Sequence, residues 1–236
     1  MHYSFDTSSL VGGNTILNQG NGGATYNAKL FNGPEISTTD KVVGSGAIIF
    51  SAALSQFVQI PTIPSMGING LTFAFWFKFS GAGYSSKIFD FGNGPSNDNI
   101  LFALNDNNDA YVSCYLGGAA HTLRNIFQEK VNDNVWRHAL WTINTVGIWQ
   151  VYLNGAPHSS YETNAYPNAV SRALNYLGKG NAASDPYLNG AIDEFYMFEY
   201  VLSAAQVQQL YYSGIRFQRS EYKTAFCIPE ALTLQI

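Results

Sequence analysis

The segment Leu71–Phe79 constrains the fold more than any other part of the chain. From its third residue onward, every second residue is a phenylalanine, at positions Phe73, Phe75, Phe77 and Phe79. Successive side chains of a β-strand point to opposite faces of the sheet. The alternation therefore predicts a strand whose phenylalanine face lies in the core, with Trp76 on the opposite face.

Further strand signals recur along the chain between clusters of Gly, Asn, Asp and Pro. The predicted strands are Ala47–Phe50, Phe57–Ile60, Lys87–Phe91, Ile100–Leu104, Ala110–Leu116, His121–Phe127, Trp136–Asn144, Trp149–Leu153, Ala173–Leu177 and Ala191–Tyr200. The dipeptide Asn154–Gly155 predicts a hairpin turn, because both residues tolerate positive φ. This rhythm is typical of an antiparallel sandwich or barrel.

One helix is predicted, over Ser203–Tyr212. Ser203 and Gln206 have the spacing of a capping box, and Gly214 is expected to end the helix. We therefore expect a domain over residues 1–214 and an extended tail over 215–236.

The tail carries alternating apolar residues, which predict a strand that adds to a neighbouring subunit. The residues expected to mediate this assembly are Phe226, Ile228, Leu232, Leu234 and Ile236. The alternative is that the tail folds back over its own domain and covers Trp76.

Composition narrows the classes of partner. Charged residues make up 12% and aromatic residues 15% of the chain, and the net charge is −4. No basic cluster is present, which argues against nucleic-acid binding. No apolar run approaches the ~18 residues of a membrane span, and no signal peptide is expected in the chain as given. The two cysteines, Cys114 and Cys227, are either paired or free thiols.

Five segments together resemble a known family. Tyr187–Phe198, followed by Val201–Tyr211, is similar to the closing signature of laminin-G-like jelly rolls. Four upstream segments arrive in the family's order: Tyr3–Asp6, Val43–Pro61, Leu71–Lys78 and Trp136–Gly155. The resemblance covers about residues 1–214. It implies an all-β, antiparallel two-sheet jelly-roll sandwich of the concanavalin A-like type, with one short C-terminal helix.

The concanavalin A-like superfamily includes glycoside hydrolases, which place paired carboxylates at alternate strand positions. No Glu-x-Asp-x-Glu triplet occurs here. Asp193 and Glu194 are adjacent, so regular strand geometry predicts that they point to opposite faces. We therefore expect a non-catalytic protein.

The resemblance also implies a structural calcium ion. By position, its ligands would be the carboxylates of Asp6 and Asp193 and the carbonyl of Gly46. Hard oxygen ligands of this kind suit Ca²⁺. The alternative is that Asp193 only accepts backbone hydrogen bonds.

A glycan-binding site is expected to contain an exposed aromatic ring with amides and carboxylates nearby. Trp76 is the candidate ring, unless it packs beneath a loop or the tail. The candidate polar residues lie in loops rich in Asn and Asp, and these are Asn105, Asp106, Asn181 and Asp185. The same loops would also be explained by turn formation alone.

Two functions remain open from the sequence. The first is a structural module of a virion or other surface layer, whose partners are other protein subunits. The second is a lectin-like module that binds carbohydrate at a cell surface or outside the cell. We favour the first on the apolar tail and the low charge.

Overall fold

The computed structural model describes residues 1–80, 84–105 and 107–225. These form seventeen strands, several of them only two residues long. The strands are β1 (His2–Tyr3), β2 (Leu10–Val11), β3 (Thr15–Ile16), β4 (Ala28–Phe31), β5 (Glu35–Ser37), β6 (Ala47–Phe50), β7 (Phe57–Ile60), β8 (Leu71–Phe79), β9 (Lys87–Gly92), β10 (Ile100–Leu104), β11 (Ala110–Leu116), β12 (Ala119–Arg124), β13 (Arg137–Ile143), β14 (Ile148–Leu153), β15 (Ala156–Glu162), β16 (Leu174–Leu177) and β17 (Gly190–Phe198).

The strands form two antiparallel sheets. The eight-stranded sheet has the order β15-β14-β13-β8-β17-β6-β5, and β1 pairs with β17. The nine-stranded sheet has the order β12-β11-β10-β9-β16-β7-β4-β3-β2. The large apolar core draws its residues from both sheets. The predicted jelly-roll sandwich is confirmed.

Strand β8 lies in the middle of the eight-stranded sheet, between β13 and β17. All nine of its residues are buried. Its phenylalanines lie in the core as predicted, where the Phe73 ring stacks on Phe89 with centroids 4.6 Å apart. The Phe75 ring meets Phe102 edge-on at 5.0 Å. Both contacts join β8 to the opposite sheet.

Five of the predicted strands agree with the structure to the residue. The bounds of Ala47–Phe50, Phe57–Ile60, Leu71–Phe79, Ile100–Leu104 and Ala110–Leu116 are all as predicted. The prediction missed strands β2 to β5 and strand β15, and most residues of β15 are exposed. Cys114 points into the core and is fully buried, whereas Cys227 lies outside the described residues.

The helix α1 spans Ala204–Ala225. Its predicted start is confirmed, because the backbone N–H of Ser203 donates to Gln206 Oε1 at 2.9 Å and that of Gln206 donates to Ser203 Oγ at 3.4 Å. The predicted end is wrong. The helix continues through Gly214 to Ala225, where we had expected extended chain.

The glycine at position 214 has a packing role rather than a capping role. Helix α1 lies on the outer face of the eight-stranded sheet, where Tyr211 stacks on Trp76 with centroids 5.6 Å apart. A Cβ atom at Gly214 would lie 2.9 Å from Trp76 Nε1. Glycine therefore allows the helix to approach the indole closely.

The residues predicted to mediate assembly lie outside the described part of the chain. They are Phe226, Ile228, Leu232, Leu234 and Ile236. Within the described part, no helix has the length and apolar character needed to cross a membrane.

Truncation of a central core ring should strongly destabilise the protein. We expect Phe75→Ala to lower the free energy of unfolding by about 3–5 kcal/mol, the usual cost of removing a buried phenylalanine. Phe31, at 40% exposure, provides a control of the same residue type. Urea unfolding of both variants checks this. Equal losses for Phe75→Ala and Phe31→Ala would contradict the assigned core.

Substitution of Gly214 should change stability in the direction opposite to helix propensity. Alanine normally stabilises a helix by about 1 kcal/mol relative to glycine. Here we expect Gly214→Ala to lower the melting temperature, because the new methyl group would collide with the buried Trp76 indole. Ser213→Ala, at an exposed neighbouring position, should be neutral or slightly stabilising. A Gly214→Ala variant that melts higher than wild type would refute the close packing.

Candidate functional site

The outer faces of the two sheets differ in what covers them. Helix α1 packs on the eight-stranded sheet, where its Val207 and the preceding Leu202 lie against Ala74 and Leu140. No helix of the described part covers the outer face of the nine-stranded sheet. We call this the open face. Its polar and aromatic side chains form the candidate site.

Asp90 of β9 lies at the centre of the open face. Its neighbours Phe89 and Phe91 point into the core, so Asp90 points outward, yet it is only 2% exposed. Asp90 Oδ1 accepts a hydrogen bond from Asn99 Nδ2 at 2.7 Å, and Oδ2 accepts one from the backbone N–H of Asn181 at 2.8 Å. Asp90 therefore holds two surface loops together.

Burial determines the proton affinity of this carboxyl group. Desolvation raises the pKa of Asp90, and the hydrogen bonds from Asn99 and Asn181 partly oppose that rise. Buried carboxylates are tolerated when hydrogen bonds satisfy both oxygens. This arrangement fixes the positions of the loop residues above it.

An ion pair stands beside Asp90 on the open face. Lys87 Nζ lies 3.0 Å from Asp185 Oδ2, and both side chains are largely buried. Ser85 Oγ hydrogen-bonds both members and also lies 3.0 Å from the Tyr111 hydroxyl. Together with Asp90 these groups line a polar cavity of about 110 Å³.

The structure brings together two of the predicted ligand-binding residues. Asn181 and Asp185 both line the polar cavity. The Oδ1 atom of Asn181 is buried and has no hydrogen-bond partner. It is an acceptor positioned beside the cavity.

The other predicted polar residues lie elsewhere. Asn105 is at the turn between β10 and β11, where it donates to Asn125 and accepts from Arg124. The Arg124 guanidinium lies over the Tyr111 ring at 5.1 Å. Asn105 does not line the polar cavity, and Asp106 lies outside the described residues.

A group of aromatic rings continues the open face on the other side of Asp90. We call it the aromatic row, and its members are Phe31, Phe57, Tyr176 and Tyr187. Phe31 stacks on Phe57 with centroids 4.7 Å apart, and Phe57 meets Tyr176 edge-on at 5.6 Å and Tyr187 at 6.2 Å. Phe31 is 40% exposed.

Strand register explains why the aromatic row adjoins the polar cavity. Phe31 of β4 pairs with Phe57 of β7, and Tyr176 of β16 pairs with Asp90 of β9. From Tyr111 on β11 to Phe31 on β4 the open face crosses five strand steps, roughly 24 Å at about 4.8 Å a step. Tyr111, Asp90 and Tyr176 are each less than 10% exposed, so surface loops cover the middle of this span and Phe31 is its exposed ring.

Of the two alternatives for Trp76, the structure shows packing and not exposure. Trp76 faces away from the core as predicted, but it is only 6% exposed. Its ring packs between Tyr211 of helix α1 and His138 of β13, and Val42 and Val43 complete the cluster. The helix thus covers the ring that the sequence favoured for sugar stacking.

The predicted orientation of Asp193 and Glu194 is also wrong. The pairing of β17 with β8 shifts between Asp193 and Tyr196, and Glu194 has φ of 51°. This β-bulge turns both carboxylates to the outer side of the eight-stranded sheet. Regular alternation, on which the prediction rested, does not hold at this point.

The bulge builds a second polar cluster beneath helix α1. His2 Nε2 and the Tyr196 hydroxyl each lie 2.6 Å from Glu194 Oε2, and the His2 ring stacks on Tyr196. A cavity of about 270 Å³ adjoins them. His138 also lines it, and burial lowers the pKa of this histidine to about 3, so it is uncharged at neutral pH.

The predicted metal ligands Asp6 and Asp193 both accept hydrogen bonds from the loop 42–46. Asp193 Oδ2 accepts hydrogen bonds from the backbone N–H groups of Val42 and Val43, both at 2.8 Å. Asp6 Oδ1 accepts from the backbone N–H and the hydroxyl of Ser45. A Cβ at Gly46 would meet the Phe5 carbonyl at 2.9 Å, so this glycine packs against the chain next to Asp6.

One oxygen of the predicted metal site has no partner. Asp193 Oδ1 is buried and accepts no hydrogen bond. Burial is the main cause that raises the pKa of Asp193 to about 8. Within residues 1–80, 84–105 and 107–225, no cluster of three or more His, Cys, Asp or Glu side chains could hold a metal. A cation here would depend on two carboxylates and backbone carbonyls.

The two-sheet fold is that of the concanavalin A-like lectins, and sequence comparison agrees. The laminin-G-like family model, described as the concanavalin A-like lectin/glucanases superfamily, matches residues 52–208, well over half of the chain. The chain belongs to this superfamily. No curated protein matches the sequence.

Several solved structures share the fold at low sequence identity. Domain 4 of an extracellular arabinanase from Geobacillus stearothermophilus, in complex with arabinotriose, has a TM-score of 0.63 and 21% identity, with 89% of this chain and 96% of that domain covered. The binding domain of Paraclostridial Mosquitocidal Protein 1 has a TM-score of 0.65 and 14% identity, with 84% and 49% covered.

A third similar structure is the ligand binding domain of botulinum neurotoxin serotype D in complex with N-acetylneuraminic acid. Its TM-score is 0.62 and its identity 16%, with 87% of this chain and 51% of that domain covered. The chain thus spans about half the length of the toxin domains that it resembles.

Proposed function

We propose that this protein is a non-catalytic carbohydrate-binding module whose site is the open face of the nine-stranded sheet. The observation that carries the proposal is the aromatic row beside a polar cavity. An aromatic ring offers a flat apolar surface to the C–H face of a sugar. The amides and charged groups around Asp90 offer donors and acceptors to its hydroxyls.

The proposed site is preorganised. Asp90 holds the loops of Asn99 and Asn181 through its two oxygens, and Lys87 is paired with Asp185. A rigid site loses little conformational entropy when it binds, which favours affinity.

Similar structures support this reading over a structural role. The arabinanase domain is in complex with an oligosaccharide and the serotype D toxin domain with a sugar acid. The toxin domains are described as binding domains. We therefore place the carbohydrate-binding function first, at a cell surface or outside the cell. Assembly in a virion or other surface layer stays a prediction that depends on residues 226–236.

We also propose that Asp6, Asp193 and the Gly46 carbonyl bind a structural Ca²⁺ ion. The buried, unpartnered Asp193 Oδ1 suits a cation, and a cation would stabilise the ionised carboxylate that burial disfavours. Bound there, the ion would tie the segment after β1 to the bulge of β17 across the loop 42–46.

Carbohydrate binding is tested by applying the purified chain to a glycan array and titrating the best ligand. Phe31→Ala should weaken binding about tenfold, because removal of an apolar ring that the ligand covers costs at least about 1.4 kcal/mol. Tyr161→Ala is the control, since Tyr161 is 44% exposed on the other sheet. Absence of any glycan ligand, or equal effects of the two variants, would refute the proposal.

Calcium binding is tested by thermal unfolding with and without a chelator. At free calcium of one hundred times Kd the ion should add about 2.7 kcal/mol to the stability. That corresponds to a melting temperature about 5–10 °C higher for a chain of this size. Asp193→Asn should abolish the response, and Asp133→Asn, at an exposed site, should keep it. A wild-type curve that ignores the chelator would exclude the site.

A further inference from the structure

Lys179 occupies a distinctive position within the aromatic row. Its Nζ atom lies 4.7 Å from the centroid of the Phe57 ring and 4.5 Å from that of Tyr176. Two ring faces thus hold one ammonium group. Cation–π contacts of this kind favour a fixed position for the charge.

The backbone before Lys179 is anchored at the end of β16. Gly178 donates its N–H to the Ile88 carbonyl and accepts from the N–H of Leu188, both at 2.9 Å. A Cβ at Gly178 would lie 2.9 Å from the Phe50 ring, and Gly178 has φ of 79°, so glycine is required here. The sheet therefore fixes where the Lys179 side chain begins.

No described carboxylate pairs with Lys179. The neighbouring cation Lys87 differs in this respect, because it lies 3.0 Å from Asp185. Asp90 is also near the aromatic row, but hydrogen bonds from Asn99 and Asn181 occupy its two oxygens. Lys179 is therefore a fixed positive charge whose ammonium donors are available to a ligand.

We infer that the glycan bound on the open face is acidic, and that Lys179 pairs with a carboxylate on one of its sugars. This inference rests on the proposed carbohydrate-binding function and specifies its ligand class. A sugar ring stacked on the exposed Phe31, which itself stacks on Phe57, would bring a carboxylate substituent towards the ammonium group over Phe57. The resulting charge-assisted hydrogen bond is stronger than the neutral bonds that hydroxyls make.

The arrangement also explains why a lysine occurs among these rings. A packing role alone needs only the aliphatic stem, which a methionine supplies equally well. A neutral glycan could accept hydrogen bonds from the ammonium group, but it would make no use of its charge. An acidic sugar uses both the rings and the charge.

The test compares one saccharide with and without its charge. Oligogalacturonate and sialyllactose are each titrated into the full chain as the free acid and as the methyl ester. We expect at least one acid to bind about tenfold or more tightly than its ester, with the difference shrinking as salt is added. Lys179→Met should remove the preference while binding of the ester persists.

The control variant is Lys130→Met, which removes an exposed lysine outside the open face and should keep the preference. Equal affinity of the wild type for acid and ester would overturn the inference, as would a Lys179→Met variant that still prefers the acid. Either result leaves the proposed function intact if the esters or neutral glycans bind and Phe31→Ala weakens them. Failure to bind any saccharide would remove both.

Discussion

The interlocking of phenylalanine rings between the two sheets is the contact on which the other features depend. Phe73 and Phe75 of β8 meet Phe89 and Phe102 of β9 and β10. Aromatic pairs in these geometries contribute about 0.5–1.5 kcal/mol each beyond the area they bury. Because the rings fix β8 against β9, they also fix the residues that alternate with them on both outer faces.

These outward-facing residues have different roles on the two sheets. On the eight-stranded sheet, helix α1 packs against Trp76. On the nine-stranded sheet, Asp90 lies between two core phenylalanines and points outward to hold the surface loops. One pattern of alternation therefore produces a closed face and an open face. What differs is helix α1, which in the described part of the chain packs on one face and leaves the other without a helix.

Local pattern predicted the core, and tertiary packing explains where that pattern was misleading. The strands with strict alternation, such as Leu71–Phe79, agree with the structure to the residue. Gly214 carries the ordinary signal of a helix end, yet the close approach to Trp76 requires a glycine inside the helix. Glu194 has a positive φ, which breaks the alternation of side chains along β17. No residue type near Glu194 predicts a bulge.

The candidate site was predictable only in part, because the sequence shows local patterns but not tertiary packing. Amide-rich loops pointed to Asn181 and Asp185, because such loops are local features. The aromatic row was missed, since Phe31 and Tyr176 are far apart in sequence and meet only through the pairing of β4, β7 and β16. The Phe-Asp-Phe sequence around Asp90 was the available signal. A lone carboxylate between core residues marks the centre of an outer face.

The positions of strand β1 and helix α1 determine how several copies of this module could bind one ligand together. Strand β1 pairs with β17, and helix α1 lies on the same sheet, so both belong to the side away from the open face. A connection to other domains or to a surface made through either element would leave the aromatic row facing outward. Copies tethered in this way could engage one long polysaccharide together, and weak individual contacts would then add to strong overall avidity.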